Sequence, residues 1–250
     1  MRKKTGDTLV EVTIAIGIFS MVAVTVVTLV NNSTSRVQTA LETTLAREEI
    51  DVQAETIRFI QSAYLNGLKA HQANVIGNYK DIWHKIVDNA HSAEYLEEKD
   101  FLAYRPHTCD ELYTKDSLTT QKAFIVNPTW FNAKTGSGND LDSDTIIEKT
   151  VTIATEENYS IFQPTTTYPH IVYSDDDIGR YDGTMTTQSV EGIYVIAVKG
   201  EDSLAAAQKV VPYYDFYIRT CWYGLGAKLP STISTVIRLV NPEYLAPPTT

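Results

Sequence analysis

The chain has 250 residues, 43% of them apolar and 21% charged, which suffices for one large domain or for one domain with an appendage. Its 31 acidic and 21 basic side chains leave a formal net charge of -10, which repels phosphate backbones and argues against nucleic acid as a partner. Two cysteines, Cys109 and Cys221, are too few for a Cys-only zinc site and too distant in sequence for a CxxC redox motif.

The two ends differ in kind. All nine prolines lie at or beyond Pro106, and 14 of the 15 tyrosines lie beyond residue 70. Residues 1–6, Met-Arg-Lys-Lys-Thr-Gly, hold three positive charges and no apolar body. Val12 to Val30 then runs nineteen residues without a formal charge. A helix of that length spans ~28 Å, close to the hydrocarbon thickness of a bilayer. Basic residues before it keep the amino end cytoplasmic and place the chain beyond residue 30 outside. The alternative, a cleaved signal peptide, requires small residues at spaced positions before the cut, and Leu29-Val30-Asn31-Asn32 offers none. Glu11 stands at the head of the apolar run. A lone carboxylate inside a bilayer costs a few kcal/mol (roughly 2.5–3.5 for Asp on insertion scales), so it either snorkels to the interface or finds a partner.

The stretch Lys4-Thr5-Gly6-Asp7-Thr8-Leu9-Val10-Glu11-Val12 resembles the prepilin processing site of type IV pilins and type II secretion pseudopilins. The resemblance covers about the first 30 residues. It implies that a prepilin peptidase cuts after Gly6 and that Asp7 becomes the new, methylated amino terminus. It also implies that Glu11 serves filament assembly. Two positions depart from the family pattern: Asp7 replaces the usual apolar first residue, and the apolar helix carries Gly17 where many members carry Pro.

From Ser33 to Tyr64 there is no Pro or Gly, and apolar residues recur with helical spacing. Val37, Leu41 and Leu45 form one stripe; Ile50, Ile57, Ile60 and Tyr64 form a second. The change of stripe means a drift or a break near Glu48–Glu49, and Asn31-Asn32-Ser33 is a place where the helix could loosen. Asn66-Gly67 reads as its terminator, because Gly closes helices in the left-handed conformation. A second helical face comes next, through Ile76, Tyr79, Trp83, Ile86, Val87 and Ala90. His71, His84, His91 and His107 lack the His-x-x-x-His spacing of a helical metal site, so no metal is assigned to them.

Beyond Pro106 the signals turn to strands. Phe124–Val126, Thr150–Thr155, Gly192–Lys199, Tyr213–Tyr223 and Thr232–Val240 are the predicted strands, the last three forming an antiparallel set with one apolar face for the amphipathic helix to cover. In Tyr213–Tyr223, Tyr214, Phe216, Ile218 and Trp222 fall on one face, with Asp215 and Arg219 on the other. Asp140, Asp142 and Asp144 resemble the start of a calcium loop, but Thr145 and Val151 stand where such a loop needs Gly and Glu, so a solvated acidic loop is the better reading. Asp175-Asp176-Asp177 with Asp182 is a weaker case of the same kind. No GxSxG, HExxH, Walker-type or GxGxxG motif is present, so no enzyme activity and no cofactor is expected. Cys109 and Cys221 both fall on the exported side, where a disulfide persists; two buried free thiols are the alternative.

The expected fold is α+β and pilin-like, with a long amino-terminal transmembrane helix whose amphipathic extension packs on an antiparallel β-sheet head. The expected divisions are a leader at 1–6, a transmembrane and filament-core helix at 7–30, an amphipathic extension at 31–66, a helical part of the head at 67–105, and a β-rich exported head at 106–250. The resemblance implies a minor pilin or pseudopilin, inserted once through the cytoplasmic membrane and then drawn into an extracellular filament. Its partners would be prepilin peptidase, membrane lipid before assembly, other pilin subunits and the inner assembly platform. A second reading makes it a filament-borne adhesin whose Tyr/Thr-rich head binds a host surface ligand. A membrane-anchored enzyme is the remote third.

Overall fold

A computed structural model describes residues 7–70, 73–92, 106–130, 143–164, 168–174, 186–200, 212–224 and 227–245. The chain divides into two compact units, Met1–Glu42 and Thr43–Thr250. Helix α1 is Asp7–Ala70 and α2 is Ala73–Val87. After these come α3 (Lys115–Thr120), β1 (Phe124–Val126), α4 (Ser143–Thr150) and β2 (Val151–Ile153). The chain continues with β3 (His170–Ser174), β4 (Thr186–Glu191), β5 (Ile193–Gly200), β6 (Tyr213–Trp222), β7 (Ser231–Val240) and the short α5 (Pro242–Leu245). The architecture is α+β.

The main sheet has five antiparallel strands in the order β2-β1-β5-β6-β7, and β3-β4 form a separate hairpin with a register shift between Val172 and Tyr173. All five strand regions read from the sequence are present. The sheet extends two strands beyond the expected three, because Phe124 of β1 pairs with Val195 of β5 and β2 adds outside it.

α1 is unbroken through Asn31–Ser33 and through Glu48–Glu49, so the change of stripe is a drift and not a break; it departs from expectation in running past Gly67 to Ala70. Gly67 is buried within the helix and does not terminate it. Lys69 in the last turn complements the negative end of the helix dipole. The two apolar stripes have different environments. Ile50, Ile57, Ile60 and Tyr64 are at most 3% exposed, whereas Val37 and Leu41 in the first unit are 68% and 57% exposed.

Within the second unit, the α1 stripe and Ile82, Trp83 and Ile86 of α2 share one core with Tyr214, Phe216 and Ile218 of β6. Trp83 is fully buried and meets the rings of Tyr214 and Phe216 edge-on, at 6.0 and 5.9 Å between centroids. Burial of this aromatic and aliphatic set, at about 1.5–3 kcal/mol per side chain, is what holds the helices to the sheet.

The opposite face of β6 is not solvated, contrary to the pattern expected of a one-sided sheet. Asp215, Arg219 and Cys221 are buried there. The segment from Pro106 to Thr120 covers this face: Tyr113 stacks edge-on against Tyr194 of β5 at 5.3 Å, and Cys109 is bonded to Cys221. The Asp215 carboxylate is compensated in place. Arg238 of β7 donates twice to Asp215, at 2.7 Å each, and lies 3.9 Å from the centroid of the Tyr213 ring.

Gly192 turns β4 into β5 with φ +68°, a conformation that L side chains rarely adopt. A Cβ there would also stand 2.5 Å from the carbonyl oxygen of Cys221, whose own amide donates to Gly192 O at 3.0 Å. Gly192→Ala is therefore expected to destabilise the chain by about 1–3 kcal/mol, measured by denaturant unfolding. A variant of wild-type stability would show that this turn tolerates a side chain.

Candidate functional site

The first unit carries the residues on which a membrane or assembly role would rest. Gly6 lies outside the described residues. Asp7 is the first residue of α1, and Glu11 stands one turn later, exposed. From Leu9 to Val30 every large apolar side chain is more than half exposed, from 52% at Val26 to 75% at Met21. A run of that extent exceeds the apolar patches that soluble monomers leave in water. α1 is long and apolar enough to cross a membrane.

Four threonine hydroxyls in this helix are satisfied internally. Thr13 Oγ1 donates to Val10 O at 2.9 Å, Thr25 to Met21 O and Thr28 to Val24 O at 2.8 Å each, and Thr34 to Val30 O at 2.9 Å. A threonine whose donor is already bonded to the preceding turn enters hydrocarbon without an unmet polar group. From Thr8 to Ser35, Glu11 is left as the sole formal charge.

In the second unit the two cysteines are joined, with Cα atoms 5.6 Å apart across a sequence separation of 112. Both are fully buried. Cys109 sits at the start of a short 3-10 helix, Cys109–Glu111, and its amide donates to the Tyr223 hydroxyl at 3.0 Å. The bridge ties the covering segment to β6, the strand between β5 and β7.

Two polar features were not legible from residue type. Gln53, on α1, is fully buried; its amide donates to Val126 O at 3.0 Å and accepts from Val126 N at 2.9 Å. β1 meets β5 at one register position only, so this side chain supplies the pairing that a neighbouring strand would otherwise give. The second feature is Glu49, half-buried on α1 within electrostatic range of His170 on β3. Burial pushes its carboxyl above the ordinary value of 4.5, His170 opposes that rise and Glu48 adds to it. Tyr173 beside it is pushed up to about 12, by burial first and by the Glu49 charge second.

A raised carboxyl binds more protons in the folded than in the unfolded chain, so its contribution to stability falls as pH rises from 4.5 through the elevated value. Glu49→Gln is expected to remove that part of the pH dependence and to raise the melting midpoint at neutral pH by about 1–2 °C. Thermal unfolding of both forms across this window is the check. A midpoint lowered at neutral pH would mean that the charge is compensated.

No catalytic or metal centre emerges among the described residues. No group of three or more His, Cys, Asp or Glu there is placed to hold a metal. His91 is engaged by backbone pairing with β5 and by Gln121 O at 2.8 Å, and His107 N donates to Glu111. His71, Asp140, Asp142, Asp175-Asp176-Asp177 and Asp182 lie outside the described residues, and Asp144 falls in the first turn of α4. Comparison of the chain with protein-family models, with curated proteins and with solved structures finds no match.

Proposed function

We propose that this chain is a structural subunit of a type IV pilus-like filament, a minor pilin or pseudopilin, and not an enzyme. One observation carries the reading: Gly6-Asp7-Thr8-Leu9-Val10-Glu11 leads without interruption into an exposed apolar helix, and that same helix later supplies the buried stripe beneath an antiparallel sheet. A polymer subunit needs both properties in one element, an apolar length to bury against copies or lipid and a folded body to carry. Assembly would be driven by removing the Leu9–Val30 surface from lipid or water and packing it against neighbouring helices.

On this reading prepilin peptidase acts at Gly6 and Asp7, membrane lipid holds the subunit before assembly, and Glu11 meets the amino terminus of a neighbouring subunit. The polarity comes from Arg2, Lys3 and Lys4, which hold the amino end on the cytoplasmic side. Immunoblotting of filaments sheared from cells tests the proposal. The chain is expected in the sheared fraction; its confinement to membranes, with filaments present and free of it, would refute the filament role.

A further inference from the structure

The carboxyl-terminal helix α5 is held by polar contacts to α1 and α2. Glu243 Oε1 accepts from the Tyr64 hydroxyl of α1 at 2.9 Å and lies 3.2 Å from Nε2 of His84 on α2. The other ring nitrogen, Nδ1, lies 3.6 Å from Asp88, one turn further along α2. Immediately upstream, Gln61 of α1 donates to Val240 O at 2.8 Å. Pro242 at the start of α5 is buried, whereas Tyr244 and Leu245 at its far end are 51% and 44% exposed.

The groups around His84 are mostly acidic. Asp88 and Asp81 come from α2, Glu243 from α5, and the phenols of Tyr64 and Tyr214 from α1 and β6. Burial raises both phenols; the charges of Glu243 and Asp81 add to this at Tyr64, and those of Asp88 and Glu243 add at Tyr214. Lys85 is directed away, donating to Ile147 O of α4 at 3.3 Å, and Lys80, one turn before His84, is exposed. His84 thus stands between two carboxylates with a third nearby, and imidazole is the side chain that changes charge between roughly pH 5 and 8.

We propose that this cluster is a pH-dependent clamp on the chain end, in which protonated His84 bridges Asp88 and Glu243 and keeps α5 docked, and loss of the proton loosens α5 while the sheet stays folded. The partners set the direction of the effect. With the imidazolium present, the Nε2–H donates to Glu243 as a charge-assisted bond, roughly twice as strong as a neutral one, and the ring charge faces Asp88 across 3.6 Å as an ion pair. Without it, one nitrogen has no proton to donate and the carboxylates repel with nothing between them. The Tyr64–Glu243 bond persists, so the change is a loosening and not a release of the strand before it.

Hydrogen exchange of the full chain in detergent micelles, at about pH 5.5 and about pH 8 and corrected for intrinsic rates, tests the clamp. The amides of Glu243, Tyr244 and Leu245 are expected to be roughly three- to fivefold better protected at the acid pH. His84→Gln should abolish that difference. Glu243→Gln should lower protection to one level at both pH values, and the amides of β6 should be unmoved throughout. Equal protection of the wild-type chain end at the two pH values, or a difference that survives in His84→Gln, overturns the proposal. So does a parallel loss of protection across β6, because the event would then be global.

Discussion

Glu11→Ala is expected to leave leader cleavage and membrane insertion intact while cutting incorporation into filaments by at least roughly tenfold. The cause is a charge in a low-dielectric place. Glu11 is the sole formal charge between Thr8 and Ser35, and it stands on an exposed helix one turn from Asp7. In a lone membrane subunit the carboxylate reaches headgroups and water, so its removal changes little there. Surrounded by aliphatic side chains of packed helices it would need an opposite charge, and on the proposed reading the amino terminus of an adjacent subunit provides it. That pairing would set the axial step between neighbours as well as compensate the charge. The acidic side chain of Asp7 competes for the same amine, so Asp7→Ala is expected to retain or increase incorporation. The assay is immunoblotting of sheared filaments beside the membrane fraction. Wild-type incorporation of Glu11→Ala would show that no intersubunit salt bridge at Glu11 drives assembly.

Loss of the Cys109–Cys221 bridge carries the largest expected effect on stability. The bond closes a separation of 112 residues, which on the chain-entropy model is worth ~4–5 kcal/mol through restriction of the unfolded chain. Both sulfurs are fully buried, so the Cys109→Ala/Cys221→Ala double variant also loses packing at the outer face of β6. Tyr113 and Tyr194 would remain to cover that face, but the segment carrying Cys109 would be tied only by packing and hydrogen bonds. A fall in melting midpoint of about 10 °C or more is expected for the full chain in detergent. Reduction of the wild-type chain should approach the same value, and mass spectrometry before reduction should find no free thiol. A double variant melting within about 2 °C of wild type would show that the bridge adds little to a fold already fixed by its core.

Much of this architecture was legible because its signals are periodic. β5, β6 and β7 declare themselves by alternation and by bounding glycines or prolines, and the second α1 stripe by its helical spacing. The features that could not be read depend on contacts far apart in sequence. Asp215 and Arg219 looked like a solvent face because charge is the usual mark of one; Arg238 and the segment from Pro106 cover it instead. Gln53 looked like a polar helix position and is a buried partner of β1. Gly67 looked like a stop, and the packing around the helix overrides that preference. Among the candidate site residues, Glu11 and the cysteine pair stand out as exceptions to their surroundings, a charge at the edge of an apolar run and the only two thiols in the chain; the structure joins the cysteines. The His84–Glu243 contact was hidden, since 159 residues separate its members.

The filament reading rests on processing at Gly6, and the consequence of that event is a definite amino terminus. Intact-mass analysis of the protein extracted from membranes of the native cell, with sequencing of its amino-terminal peptide, measures it directly. The expected mature chain begins at Asp7, lacks Met-Arg-Lys-Lys-Thr-Gly and keeps the whole apolar helix, and Gly6→Ala leaves the six-residue leader attached wholly or in part. A mature chain that still begins at Met1, or one cut after the apolar run near Val30, would contradict the filament reading.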